Sequence, residues 1–400
     1  MWRPDVAAAG QKTRDIAVLV RNFLLDGIFS VLPRARVRND GKSAVLLIRL
    51  DAIGDFVLCL NSAAGLRALY PSDRYRLVLL GNALWTDLAL DQPYFDEVIP
   101  VEPKRLLNDL PYRLGVWRQL RARPWQLAIN PTYSRHLPYD DSAIRVCGAR
   151  ERVGVRGDLS NQRSWEMRIS NRWYTRLIEA GQPLMELERN AVFVRQLGLT
   201  DFRAALPELK VSATLPAGLT GEQYYVVVPG AGHPMRQWPV EKYAVLMQKI
   251  WETHRIKGVI CGGRGEEALG LRLRNLLPDG VEAEDLTGST TLPGFAALIK
   301  GAVLLLANES GAVHIAAAVG TRSICFIGGG HQGRFVPYRI EADARASLPV
   351  VVEHRMECYY CNWNCIYTCY EGAAPCLEGI TVDDAWREVH ELLASDRQPT

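Results

Sequence analysis

The stretch Ala44–Leu69, AVLLIRLDAIGDFVLCLNSAAGLRAL, decides the fold. Its opening AVLLIRL is a short β-rich run. Asp51-Ala-Ile-Gly-Asp55 then reads as a tight turn. Phe56–Leu69 reads as a helix closed by Tyr70-Pro71, because proline cannot continue a helix. Strands are expected outward from it at Arg76–Leu80, Glu97–Val101 and Gln126–Asn130. Strands alternating with helices predict a parallel sheet covered on both faces. Residues 131–210 are Arg-rich and irregular. A second series follows, with strands at Tyr224–Val228, Lys257–Cys261, Val303–Ala307 and Ser323–Ile327. Helices are expected at Val240–His254, Glu266–Leu277, Gly294–Lys300 and Val313–Val319. The pattern predicts an α/β protein of two Rossmann-like domains facing across a cleft. Their expected bounds are 43–210 and 211–400, behind an N-terminal segment 1–42.

Four hundred residues suit two large domains. A chain 48% hydrophobic and 23% charged is globular, not disordered, fibrous or a small disulfide scaffold. A net charge of +3 does not suit a dedicated nucleic-acid binder. Residues 1–42 hold eight Lys/Arg against four Asp/Glu, so the rest of the chain is near neutral. Within them Ile16, Leu19, Val20, Phe23, Leu24, Ile28, Val31 and Leu32 recur at helical spacing. Arg21 and Asp26 interrupt the run, which argues against a spanning helix, and no small-residue cleavage site closes it. Two readings stand: a basic amphipathic helix over 12–38 resting on an anionic membrane face, or a helix packed on the body. A soluble or peripheral, cytoplasmic protein is expected.

Four turns carry candidate chemistry. In open α/β sheets ligands bind beyond the C-terminal ends of the strands. Gly54 permits close backbone approach, and Asp55 at the helix start is either a cap or a base. In Pro229-Gly-Ala-Gly-His-Pro-Met-Arg-Gln-Trp-Pro239, Gly230 and Gly232 let a polyanion reach the backbone and Arg236 suits phosphate. Cys261-Gly-Gly-Arg-Gly-Glu-Glu267 is Gly-rich but holds neither GxGxxG nor a Walker Gly-Lys-Ser/Thr. Its Glu266 or Glu267 either accepts ribose hydroxyls or favours the helix dipole. In Asn308-Glu-Ser-Gly-Ala-Val-His314 the helix start at Ser310-Gly311 is an anion site, with His314 one turn inside.

Taken in order, LLIRLDAIGDFVL (46–58), VVVPGAGHPMRQWP (226–239), DLTGSTTL (285–292) and ANESGAVHIAAAVGT (307–321) resemble the blocks of the heptosyltransferase-like glycosyltransferases, family 9. Glu188–Gly198 also looks like that family. The resemblance spans about residues 44–395. It implies a GT-B fold and metal-independent, inverting transfer from a nucleotide sugar, with no cofactor required. It implies an ADP-heptose-like donor and an acidic saccharide or glycolipid acceptor of the lipopolysaccharide-core type, with no nucleic-acid partner. The family's catalytic Asp falls on Asp55, and its diphosphate-contacting basic residue on Arg236. Its ribose- or base-contacting acid best matches Glu267, with Glu266 the alternative. Its phosphate-turn Asp falls on Glu309, one methylene longer, followed by Ser310, Gly311 and His314. Gly54, Gly230, Gly232 and Gln237 complete the implied donor set. Arg135, Arg145, Arg150, Arg152, Arg156, Arg163, Arg168 and Arg172 read as a basic acceptor wall or as a solvated loop region.

Five of nine cysteines fall between Cys358 and Cys376. Cys358, Cys361, Cys365 and Cys369 could hold zinc or an iron–sulfur cluster, but no second CxxC completes a zinc ribbon. Reduced structural thiols are favoured over a metal, and a disulfide is disfavoured in a reducing cytosol. The cluster lies outside every chemistry-bearing motif, so it reads as an accessory of the C-terminal domain. A non-catalytic nucleotide-sugar binder and a GT-B-type sugar-nucleotide epimerase are the alternatives to transfer.

Overall fold

The computed structural model describes residues 6–32, 41–181, 184–340, 347–367 and 372–394. Strand β1 (Ser43–Arg49) is buried along nearly its whole length, as a strand covered on both faces must be. Helix α2 (Ile53–Leu69) follows after extended Ala52, with Asp55 in its first turn, where the helix dipole favours a negative charge. The strands β2 (Tyr75–Asn82), β3 (Glu97–Val101), β4 (Trp125–Asn130), β5 (Glu151–Val155) and β6 (Arg176–Ile178) complete the first sheet. Its order is β3-β2-β1-β4-β5-β6, and every pairing is parallel. The second sheet holds β7 (Tyr224–Val228), β8 (Lys257–Ile260), β9 (Ala283–Asp285), β10 (Leu304–Asn308), β11 (Ser323–Ile327) and β12 (Val350–Glu353). Its order is β12-β11-β10-β7-β8-β9, again parallel throughout. Each sheet runs outward from its first strand in both directions, the doubly wound Rossmann order.

The chain divides into two compact units. One comprises Met1–Ala52, Ser62–Gln182 and Asn190–Phe202; the other comprises Ile53–Asn61, Pro183–Arg189 and Arg203–Thr400. The start of α2, with Gly54 and Asp55, therefore belongs to the second unit. The first unit's core is built around Trp117 and Trp125 beneath β1, β2 and β4. In the second, Trp238 stacks on Phe326 at 4.1 Å and Tyr243 meets both rings edge-on.

The N-terminal helix, α1 (Val6–Val31), packs in the first unit, but not by the expected face. Its inward residues are Asn22 and Asp26, 1% and 0% exposed. Asp26 Oδ1 accepts from Trp117 Nε1 at 2.7 Å and from Arg113 Nε at 2.9 Å, and Oδ2 pairs with Arg113 Nη2. Asn22 Nδ2 donates to the Leu107 carbonyl at 2.8 Å. Most of the aliphatic row stays outside, Ile16 and Leu24 60% exposed, Ile28 55% and Val31 81%, while Phe23 is half-buried against Trp173. Residues 33–38 of the segment expected to meet a membrane lie outside the described residues. Among the described residues, no helix is long and apolar enough to cross a membrane.

Candidate active site

The winding direction of the second sheet reverses between β7 and β10, so the turns leaving these strands diverge and open a crevice. The turn after β7 is Pro229–Pro239, and the turn after β10 is Glu309-Ser310. Asn308, the last residue of β10, ties them together. Its Nδ2 donates to the carbonyls of Pro229 at 2.7 Å and Gly230 at 3.3 Å, and its Oδ1 accepts from Trp238 N at 2.8 Å. Trp238 is itself anchored in the core, and its Nε1 donates to the Ile380 carbonyl at 3.1 Å. This anchorage fixes the backbone two residues after Arg236.

Arg236 turns toward Glu309. Its Nη2 donates to the Glu309 carbonyl at 3.2 Å and lies 3.4 Å from Glu309 Oε2. His331 Nδ1 lies 3.3 Å from Oε1 of the same carboxylate. Burial works to raise the pKa of Glu309. The His331 hydrogen bond and charge, then Arg236, outweigh it and hold the carboxyl below its ordinary range. Glu309 therefore gathers two basic side chains as an anion. Among the described residues, Arg236 Nε and Ser310 Oγ are buried donors without a protein partner. Ser310 stands at the N-cap of helix Gly311–Val319, yet its side chain does not cap it. Unpaired donors at an uncapped helix start suit an anionic ligand.

His314 lies deeper in that helix. Its Nδ1 is 2.7 Å from the Tyr338 hydroxyl, with the two rings stacked. Burial pushes its pKa down to about 4, against the pull of Glu309, so the ring is neutral at pH 7. It can serve as a hydrogen-bonding group but not as a phosphate-binding cation. Gly54 rests on it: a β-carbon there would lie 2.7 Å from His314 Cδ2. A β-carbon on Gly311 would meet the Ile53 side chain at 3.0 Å. The Ile53-Gly54 step that opens α2 thus lies directly on helix Gly311–Val319, with Asp55 one residue from the contact.

The structure also divides the other expected residues. Gly232 faces open space, whereas Gly230 is covered by the Glu266 carboxylate. Glu266 Oε2 accepts from Gly263 N at 2.6 Å. Glu267 instead accepts from Gly265 N at 2.7 Å and lies against Gly288. Glu266 is thus the acid beside the β7 turn. Gln237 is half-buried at the end of the Pro234–Arg236 turn, where its backbone N–H donates to Pro234 at 3.0 Å. In the first unit, Arg135 is buried against Asp141 at 3.0 Å. Arg145 is spent on α1, donating to the Phe23 carbonyl at 2.9 Å and covering the Phe23 ring. Arg150, Arg163, Arg168 and Arg172 remain exposed. A continuous wall of all eight arginines does not form.

Cys369 lies outside the described residues. Cys358, Cys361 and Cys365 are half-buried, and Cys376 is buried. Among the described residues, no group of three or more His, Cys, Asp or Glu side chains is arranged to hold a metal ion. The cysteine-rich loop, expected to be an accessory, reaches the turn that carries Arg236: Trp363 lies over the Arg236 guanidinium at 5.3 Å. Sequence reasoning gave Asn308, His331, Tyr338 and Trp363 no role in the site, although Asn308 heads the fourth motif as the polar end of an apolar strand and Trp363 is one of the aromatics interleaved with the cysteines.

The profile of glycosyltransferase family 9 (heptosyltransferase) matches residues 116–359, more than half of the chain. The chain is 28% identical over 287 residues to lipopolysaccharide heptosyltransferase 3 of Escherichia coli (strain K12), covering 69% of this chain and 79% of that protein. The structure of E. coli heptosyltransferase WaaC with ADP-2-deoxy-2-fluoro heptose is similar at a TM-score of 0.64 and 15% identity, over 87% of this chain and 99% of that one. The iron-containing dodecameric glycosyltransferase TibC from enterotoxigenic E. coli H10407 is similar at a TM-score of 0.51 and 15% identity, over 90% of this chain and 78% of that one. The doubly wound pair of sheets, the arginine and helix start at the β7–β10 crevice, and the matched profile agree: the chain belongs to glycosyltransferase family 9, the heptosyltransferases.

Proposed function

We propose that this enzyme transfers a heptose from an ADP-linked donor to an acidic saccharide of the lipopolysaccharide inner core, with inversion at the anomeric carbon and no metal ion. The donor type is suggested by the heptose analogue named for WaaC, and the acceptor by the curated relative. The observation that carries the reading is the packing of the Gly54–Asp55 turn on the helix starting at Gly311, beside Arg236. Residues 43–210 take the acceptor, and residues 211–400 hold the donor. Asp55 accepts the proton of the attacking hydroxyl. The leaving diphosphate gains charge, which Arg236, Ser310 Oγ and the Gly311 helix start stabilise. Gly232 leaves room for the diphosphate, Gly54 and Gly230 let His314 and Glu266 close in around it, and Gln237 and His314 offer hydrogen bonds. Glu266 or Glu267 receives the ribose.

In this reading these groups alone meet the leaving-group charge, and the iron named for TibC is that protein's own. The test is turnover of Asp55→Asn with ADP-heptose and a core acceptor. We expect kcat to fall about 10²- to 10⁴-fold while ADP binding stays within twofold. The wild type should keep its rate in EDTA. Near-normal turnover of Asp55→Asn, loss of rate in EDTA, or alteration of the donor without acceptor would overturn the respective part.

The exposed apolar row of α1 supports peripheral contact with the cytoplasmic face of a membrane, where a glycolipid acceptor would be presented. The +4 charge of residues 1–42 favours anionic lipid. Leu24→Glu with Ile28→Glu should abolish sedimentation with phosphatidylglycerol vesicles and leave activity on a soluble acceptor intact. Undiminished sedimentation would refute the contact.

A further inference from the structure

The loop between β12 and helix Pro375–Glu378 falls mostly beyond the matched family profile, which ends at residue 359. Its backbone is held in an unusual form. Tyr360, Asn362 and Trp363 all adopt positive φ, at 69°, 48° and 59°. Non-glycine residues persist there only when packing over-determines them.

The packing is visible at the end of β11, where Gly328-Gly329-Gly330 receives the loop. A β-carbon on Gly328 would lie 2.8 Å from Trp363 Cη2, and one on Gly329 would lie 2.5 Å from Tyr359 Cδ2. One on Gly330 would strike the Trp363 ring. Tyr360 N donates to the Gly329 carbonyl at 2.8 Å. The glycine run thus forms a seat for the indole, and the seated indole reaches the crevice. Its ring lies under the Arg236 guanidinium at 5.3 Å and meets His331 edge-on at 5.9 Å. The far end of the loop holds the same turn, because Ala374 N donates to the carbonyl of Met235, the residue before Arg236.

We propose that Trp363 is a positioning residue for donor binding: it holds Arg236 against its ring face, ready for the nucleoside diphosphate. The inference rests on the reading of Arg236 as a diphosphate ligand. Two restraints act on the guanidinium. Glu309 attracts it from one side, and the indole supports it through a cation–π contact while excluding water. A side chain ordered before the ligand arrives loses less entropy on binding, and its charge acts in a drier site. His331, against the edge of the same ring and on the same carboxylate, is restrained with it.

The test is ADP affinity by calorimetry, with donor and acceptor KM, for Trp363→Leu, Trp363→Phe, Arg236→Ala and the Trp363→Leu/Arg236→Ala pair. Leucine keeps apolar volume on the glycine seat and removes the ring; phenylalanine keeps a ring. We expect Trp363→Leu to weaken ADP about three- to thirty-fold and Trp363→Phe to recover most of that loss, with acceptor KM within twofold. In the Arg236→Ala background Trp363→Leu should add less than twofold, because there is no guanidinium left to position. A merely structural role would weaken ADP equally in both backgrounds, and that result overturns the proposal. So does unchanged ADP affinity in Trp363→Leu while Arg236→Ala weakens it. Unchanged affinity in Arg236→Ala itself would instead overturn the diphosphate reading.

Discussion

His314 shows how a single residue ties the site to stability. Its folded pKa of about 4 lies below its ordinary 6.5 because burial disfavours the imidazolium. Between these values the unfolded chain takes up a proton that the folded chain refuses. The contribution is therefore whole above pH 6.5 and is lost as pH falls toward 4, to a total of about 3 kcal/mol. Buried Asp140, raised to about 7 from 3.8, works in the opposite sense: its contribution is whole below 3.8 and is lost as pH rises through 7. Comparison with His314→Gln isolates the histidine. The urea midpoint of the wild type should fall between pH 6.5 and 4.5 more steeply than that of the variant. Parallel profiles would show that His314 carries no such linkage.

At the scale of the element, α1 is inverted relative to an ordinary surface helix. Its carboxylate is buried and its aliphatic row is wet. Arg113 is wholly buried with Asp26, so Asp26→Ala leaves a buried guanidinium uncompensated and should cost about 3–5 kcal/mol in urea unfolding. Replacing both as Asp26→Leu/Arg113→Leu should return much of that stability, since a buried pair is replaced by apolar volume. Periodicity found the helix but could not orient it. The apolar spacing from Ile16 to Val31 is plain in the sequence, whereas Arg113 and Trp117, the partners that turn the helix around, lie far along the chain.

At the scale of the molecule, two sheets share one winding order, and each places a reversal between its first and fourth strands. ADP should bind the second unit at its reversal. At about a hundredfold its Kd it should stabilise the protein by roughly 2.7 kcal/mol, with amide-exchange protection concentrated at 229–239 and 308–314. Protection confined to the first unit would contradict the assignment. The sequence by itself determined the strand–helix alternation and the glycine-bearing turns after β1, β7 and β10. Such runs and turns are local, written in spacing and residue type. It did not reveal β5 and β6, whose exposed charged ends mask their short buried runs. It left Glu266 and Glu267 as neighbouring candidates, which folding sent apart, Glu266 over Gly230 and Glu267 against Gly288. It set the cysteine-rich loop apart from the chemistry, where tertiary packing placed Trp363 beneath Arg236. Those matters were decided by which distant surfaces meet. The seat for Trp363 is three glycines about thirty residues upstream, and no spacing along the chain records that contact.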